Sequence, residues 1–317
     1  MSSVRHISDE EIASVMTTDD FVASCDEAFR LYGQGEMVNP VRKESIGRDG
    51  GIDLFRLELR GEWTGKFRGR KVIEERSGVE TGRLGERTAV IELEDVQTGE
   101  SVLLDAEHVT NMRTGAAGAL GAKYLAQMPV RTAAILGTGR IARALARCID
   151  AVHRPETIRV TSRTAKRREV FVADMQAEIQ CNLCVADGIA SCLSGADAIF
   201  ASVPTPLPIV RDLDEGVHVS VMGGDARTTQ LEPTLLRERF VVPDHCEQVL
   251  NSGEFIALAQ MGGAPRWVKG QNGRIHTVGD AALGCTERLR GKGVIVYFSG
   301  MAIQDVHAAA TVWAKLR

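Results

Sequence analysis

TAAILGTGRIA, residues 132–142, is the stretch whose reading decides the fold. Thr132–Leu136 is a short apolar run of the kind a buried strand takes. Gly137-Thr138-Gly139 is a turn, and the following ARALARCI has helical spacing. With Ala142 the turn reads GxGxxA. Gly137 permits the tight turn, Gly139 lets the backbone approach a pyrophosphate, and Ala142 keeps the helix close to the sheet. The helix N-terminus adds a positive partial charge. A second strand, ETIRVTSRT at 156–164, follows about 20 residues on, the context that gives such a glycine turn its weight. A dinucleotide site is expected, with Gly137, Thr138, Gly139, Arg140 and Ile141 as its cradle.

The end of the second strand bears on which nucleotide. An NAD site usually carries an acid there for the ribose 2′-hydroxyl. Ser162 holds that place instead, followed by Arg163, Thr164, Lys166 and Arg167. Ser and Arg can bind a 2′-phosphate that an acid would repel, and cations at a helix start oppose its dipole unless an outside anion is near. NADP(H) is therefore favoured, with NAD(H) as the alternative.

Beyond this point KRREVFVADMQAEI reads as helix, and ADAIFASVP, HVSVMGGD and RFVVPD as strands. Strands alternating with helices predict an α/β, doubly wound parallel sheet. Ser202, Val203, Met222 and Gly223, at strand ends of this run, and Gly300, after GVIVYF, are expected to line the nucleotide cleft, since such sheets bind ligands beyond their strand ends. Residues 109–127 form a helix rich in Ala and Gly. Upstream the period changes. Two helix starts, at Ser8 and Thr17, lead into a helix that Gly33 and Gly35 stop, and residues 50–105 alternate as antiparallel strands, with Glu94–Gly99 as a hairpin turn. The last segment, from GVIVYF to the Ala-rich helix, is expected to leave the parallel sheet and pack back on the first region. The domains expected are 1–127 plus 296–317, an α+β unit for substrate and dimerisation, and 128–295 for the dinucleotide.

Composition excludes several classes. The 317 residues are 44% hydrophobic and 25% charged, which rules out disorder and fibres. A net charge of −4 gives no field for nucleic acid or an anionic membrane. No apolar run is long enough to span a bilayer, and the opening MSSVRHISDEE lacks the apolar stretch of a signal peptide, so a cytoplasmic protein is expected. Seven cysteines, including the pair Cys181 and Cys184, are read as reduced and structural, because no second pair completes a zinc site. The seven histidines lack metal-ligand spacing, and no metal is expected.

In the first region Arg42, Asp53, Lys71 and Arg113 are the polar candidates. Arg113 lies among small and apolar residues and needs an anion, either a ligand or an internal partner. Lys71 sits in a patterned strand, where a solvated edge lysine is the alternative.

A resemblance orders these residues. Asn39-Pro40-Val41-Arg42, Lys71-Val72-Ile73, Thr110-Asn111-Met112-Arg113-Thr114, Gly137-Thr138-Gly139, Met222-Gly223-Gly224-Asp225 and Gly300-Met301-Ala302-Ile303-Gln304-Asp305 together resemble the ornithine cyclodeaminase/mu-crystallin family over residues 5–315. The resemblance implies a Rossmann-type domain beside an α+β substrate-binding and dimerisation domain, a homodimer, and an amino or imino acid as the small-molecule partner. By it, Arg42 and Arg113 hold a substrate carboxylate, Lys71 lies at the reacting imino group, and Asp53 and Asp225 are acids near the substrate. Two arginines beside Lys71 would lower its pKa and suit it to proton transfer near neutrality. Lys66 is a rival for that role. The chain departs from the family pattern at Ile141, at Ala226–Gln230 and at Arg56, all near ligand positions.

The activity this implies is an NADPH-dependent imine or ketimine reductase, or an amino-acid dehydrogenase, with hydride passing between nicotinamide and an α-imino acid. A cyclodeaminase with bound NAD(H), and a non-catalytic NADPH-binding protein like mu-crystallin, are the other readings.

Overall fold

The computed structural model describes residues 4–49, 52–78 and 84–317, except for the side chains of 46, 48, 49, 52, 53, 77, 78 and 84–86. The chain divides into two compact units, Met1–Arg113 with Met301–Arg317, and Thr114–Gly300.

The first unit is a sheet covered on one face by helices. Its strands are β1 (Arg5–Ile7), β2 (Met37–Val38), β3 (Lys43–Asp49), β4 (Ile52–Trp63), β5 (Phe67–Gly78), β6 (Leu84–Asp95) and β7 (Ser101–Asp105). The order is β1-β7-β6-β5-β4-β2, with β3 also paired to β4. Only β1 runs parallel to its neighbour. The turn after β6 is held by Asp95, whose carboxylate accepts from the backbone N–H of Gln97 and Thr98. Helices α1 (Asp9–Val15) and α2 (Thr18–Gln34) both open with reciprocal caps, Ser8 with Glu11 and Thr17 with Asp20. Gly33 stays inside α2, and Gly35 alone ends it, at φ 80°. The C-terminal helix, Ala302–Lys315, packs on β4, β5, β6 and α2 and is buried along nearly its whole length.

The second unit is an eight-stranded sheet in the order β10-β9-β8-β11-β12-β15-β13-β14, parallel throughout. The strands are β8 (Thr132–Leu136), β9 (Thr157–Thr161), β10 (Asn182–Val185), β11 (Ala198–Ala201), β12 (His218–Met222), β13 (Phe240–Pro243), β14 (Arg266–Trp267) and β15 (Ile295–Phe298). Helix α3 (Glu107–Leu125) runs across the boundary of the two units, and α4 (Arg140–His153) and α5 (Ala165–Met175) belong to the second. The order of strands reverses between β8 and β11, which makes their C-terminal ends the switch point of the sheet.

Two expectations are corrected. The segment Ile295–Phe298 does not leave the parallel sheet: it is β15, paired with β12 and β13 inside it. All four of its residues are buried, as a fully apolar run in a central parallel strand must be. The chain therefore returns to the first unit only at Met301. At the other boundary, the small-residue half of α3 belongs to the second unit. Gly115 makes this contact: a Cβ there would stand 2.6 Å from the backbone carbonyl carbon of Ala144 in α4. The Ala/Gly stretch thus serves close helix approach.

Candidate active site

Lys71 is the fifth residue of β5, where its register neighbours are Leu59 on β4 and Ile91 on β6, both buried. The strand alternation that sends Arg70 out to Glu92 on one face sends Lys71 inward on the other. Its side chain is 1% exposed. Nζ lies 2.6 Å from Asp305 Oδ2 and 3.4 Å from Thr110 Oγ1. Arg113 stands one turn beyond Thr110 on the same face of α3. Its Nε donates to Asp305 Oδ1 at 3.2 Å and its Nη1 to Gln304 Oε1 at 3.4 Å. One buried carboxylate therefore sits between two buried cations.

Asp305 comes from the first turn of the C-terminal helix, where an acid is favoured by the dipole. Gln304 beside it accepts from the Met301 backbone N–H at 3.2 Å and so caps that helix. Asn39 fixes the same turn, its Oδ1 accepting from the Ile303 N–H at 3.3 Å. Burial lowers the Lys71 pKa to about 7, with the Arg113 charge second and Asp305 opposing both. That result corrects the expectation that two arginines do this by repulsion. Desolvation leads, and Arg42 has its charge answered by Glu44, 2.6 Å from its Nη2. Cys25 closes the other side of Gln304; burial pushes its thiol up to about 12, so it stays protonated.

The remaining candidates of this unit are placed as follows. Arg42 is half-buried in the connection after β2 and pairs with Glu44. Asp53 lies on β4 opposite Arg48 and Ser77, and its side chain falls outside the described residues. Lys66 is in the turn between β4 and β5, with Nζ 4.1 Å from the centroid of the Trp63 ring. It is held there by a cation–π contact, whereas Lys71 has the buried acid.

In the second unit, Gly137 has φ 114°, and a Cβ there would lie 2.8 Å from the Ser202 carbonyl oxygen. No L side chain fits. This brings the turn after β8 against the segment after β11. Around Gly139 a Cβ would meet nothing within 4 Å. Gly139 also caps α4 without a side-chain bond, and no acid follows in the first turn. Backbone N–H groups and open space there fit a pyrophosphate. Thr138, Arg140 and Ile141 flank that opening. At the end of β9, Ser162 Oγ is buried with no hydrogen-bond partner among the described residues, an orphan a ligand can satisfy. Arg163, Thr164, Lys166 and Arg167 are exposed beside it. The residues present therefore fit a dinucleotide.

The rest of the rim is braced from below. The Gln230 amide carbonyl accepts from the Val203 N–H at 2.7 Å, and its NH2 donates to the Met222 carbonyl at 2.9 Å, tying the ends of β11 and β12 together. Gln230 is held by Glu254, fully buried, which also accepts from the Tyr297 hydroxyl at 2.6 Å. A Cβ on Gly223 would collide with that Tyr297 ring. Asp244, likewise fully buried, accepts from Ser299 Oγ and the Gly300 N–H, both at 2.7 Å. Burial raises the pKa of both acids. Asp225 follows β12 and is gripped by Arg227, with Nη2 2.6 Å from Oδ2.

The sequence reading assigned no role to Asp305, Gln304, Gln230, Asp244, Glu254 or Arg168. Asp305 carried a signal, an acid inside the apolar run MAIQDVHAAATVW. Arg168, whose Nη1 donates to the Ser162 carbonyl at 2.8 Å, was hidden among exposed cations. Glu254 and Gln230 carried no signal. Among the described residues no group of three His, Cys, Asp or Glu side chains is placed to hold a metal ion. No helix there is long and apolar enough to cross a membrane.

Comparison with known proteins adds three likenesses and a family match. The profile of the ornithine cyclodeaminase/mu-crystallin family matches residues 4–317. An alanine dehydrogenase of Archaeoglobus fulgidus is 27% identical over 97% of this chain and 93% of its own. The structure of Thermococcus litoralis Δ1-pyrroline-2-carboxylate reductase, in complex with NADH and L-proline, superposes with a TM-score of 0.86 at 21% identity, covering 98% of this chain and 97% of that one. An archaeal alanine dehydrogenase dimer with bound NAD gives 0.83 at 23% identity, covering 98% and 95%. The α/β fold with a Rossmann-type domain is common to them.

Proposed function

The chain belongs to the ornithine cyclodeaminase/mu-crystallin family, and on that premise we propose that it is a nicotinamide-dependent oxidoreductase that reduces the C=N bond of an α-imino acid, with NADPH as the preferred donor. The observation that carries this reading is the buried Lys71–Asp305–Arg113 cluster. A guanidinium has five N–H donors, and Asp305 and Gln304 engage two of those of Arg113. The others suit a substrate carboxylate, which fixes the adjacent carbon for reaction.

Reduction adds a hydride to the imino carbon and a proton to its nitrogen. When bound, the dinucleotide supplies the hydride. Lys71 supplies the proton: its Nζ–H bond breaks as the N–H bond of the substrate forms, and the amine then regains a proton from water. A pKa of about 7 lets Nζ give and regain that proton near neutrality. Asp225 would favour the cationic iminium, the more electrophilic form, once Arg227 yields its carboxylate. Arg42 and Asp53 are further substrate contacts in this reading.

The choice of NADPH rests on Ser162, with its orphaned hydroxyl, and on exposed Arg163, Thr164 and Arg167 where an NAD site has an acid. Gly137, Thr138, Gly139, Arg140 and Ile141 would cradle the pyrophosphate, and Ser202, Val203, Met222, Gly223 and Gly300 would face the nicotinamide half. The working assembly is a cytoplasmic homodimer; the archaeal alanine dehydrogenase in the comparison is a dimer. Lys71→Ala tests the central assignment. It is expected to abolish turnover while leaving NADPH affinity, read by fluorescence titration, nearly unchanged; surviving turnover would remove Lys71 from the chemistry.

A further inference from the structure

Among the described residues the Lys71 ammonium has two polar neighbours, and they are unequal. Thr110 Oγ1 is at 3.4 Å, the outer limit of a hydrogen bond, and Asp305 Oδ2 is at 2.6 Å. Asp305 is 1% exposed, and its other oxygen is taken by Arg113. Among the described residues Oδ2 has the ammonium alone: it makes no other hydrogen bond. The groups acting on Lys71 come from every element packed against it: Asp305 on the C-terminal helix, Thr110 and Arg113 on α3, and Arg87 on β6. Arg87 is answered by Glu75 and Glu107. Among the described residues the remaining count is two cations against one carboxylate, so the cluster carries one positive charge in excess whenever Lys71 is protonated. That excess fits one carboxylate from a ligand.

We propose that Asp305 is the positioning residue of this site: it aims the Lys71 ammonium, keeps the proton on it against burial and the Arg113 charge, and leaves the cluster one charge short of neutral so that a ligand carboxylate completes it. The inference deepens the reductase reading and rests on it for the identity of the ligand, but not for the state of Lys71. A carboxylate arriving at Arg113 adds a second anion near Nζ and so strengthens its hold on the proton. Ligand binding and protonation of Lys71 are thereby linked, which loads the donor when there is an imine to receive its proton.

The test reads Lys71 directly. In protein labelled with 13C-lysine, the Lys71 Cε resonance, assigned by its absence from Lys71→Met, is titrated in the wild type and in Asp305→Asn, which keeps shape and removes charge. Loss of an opposite charge this close is expected to move the midpoint down by about 1–3 pH units. Circular dichroism establishes that the variant is folded. A midpoint that stays or rises overturns the proposal. Should Asp305→Asn not fold, Thr110→Val serves: with the carboxylate in place the midpoint is expected to stay where it is, and a fall would make Thr110 the residue that holds the proton. The kinetic counterpart is the ratio of kcat/KM, wild type over Asp305→Asn, expected to grow by roughly five- to tenfold from pH 6 to pH 8; a purely structural role lowers activity by the same factor at every pH. If the wild type reduces no imine, the functional reading falls while the titration still decides the role of Asp305.

Discussion

Lys71→Met replaces a buried cation by an apolar chain of similar length and makes a prediction about stability whose sign depends on pH. Below about pH 7 the lysine is charged in both the folded and the unfolded protein, and the folded state bears the full penalty of burying it. Above that pH the folded state sheds the proton, whereas the unfolded chain keeps it up to its ordinary value of 10.5. The unfolded state then binds more protons, so wild-type stability rises across this window. At 1.36 kcal/mol per pH unit the whole interval corresponds to about 5 kcal/mol, and the span from pH 7 to 9 to roughly 2–3 kcal/mol. The side chain is 1% exposed, so solvent screening takes little from this figure. The methionine variant lacks the titration, and its Asp305 still has Arg113 at 3.2 Å. Thermal melts of both proteins from pH 6 to 9 provide the assay. The variant is expected to do best against the wild type at pH 6 and to lose ground steadily toward pH 9, by several degrees in Tm. A difference that is constant with pH, or that runs the other way, would refute the buried, proton-losing lysine.

Other outcomes follow from the second unit. Arg163→Ala is expected to weaken NADPH binding by about 10–100-fold, the worth of one charge-assisted hydrogen bond, and NADH binding much less; equal losses in titrations with both nucleotides would remove the 2′-phosphate from this site. Gly137→Ala places a Cβ 2.8 Å from the Ser202 carbonyl at φ 114°. It is expected to lose about 1–3 kcal/mol of stability and to bind either nucleotide poorly, read by melting with and without ligand; unchanged binding would separate this turn from the cradle.

Legibility in the sequence followed local pattern. The glycine turn after an apolar strand, and the alternation after it, were sufficient for the parallel sheet, because buried parallel strands are continuous apolar runs. The reciprocal caps of α1 and α2 were readable for the same reason, being made within four residues. What escaped depends on contacts far apart in the chain. Strand Ile295–Phe298 looked like the start of the returning segment, and only its pairing with β12 and β13 puts it in the sheet. Lys71 and Arg113 were visible as odd cations, but the acid between them lies 192 residues beyond Arg113. Burial of Lys71 itself, not the number of neighbouring arginines, leads in setting the lysine's proton affinity. Glu254 resembles any acid at a helix start, yet it braces the rim through Gln230 and Tyr297.

The most direct measurement is consumption of NADPH, followed by absorbance, with cyclic ketimines and with pyruvate or glyoxylate mixed with ammonia or methylamine, with NADH run in parallel. Oxidation of the nucleotide that requires the imine, with NADPH preferred, is the expected result. Ammonia release from ornithine or lysine with no net oxidation would contradict it in favour of a cyclodeaminase, and inertness toward all of these would leave a nucleotide-binding protein without this chemistry.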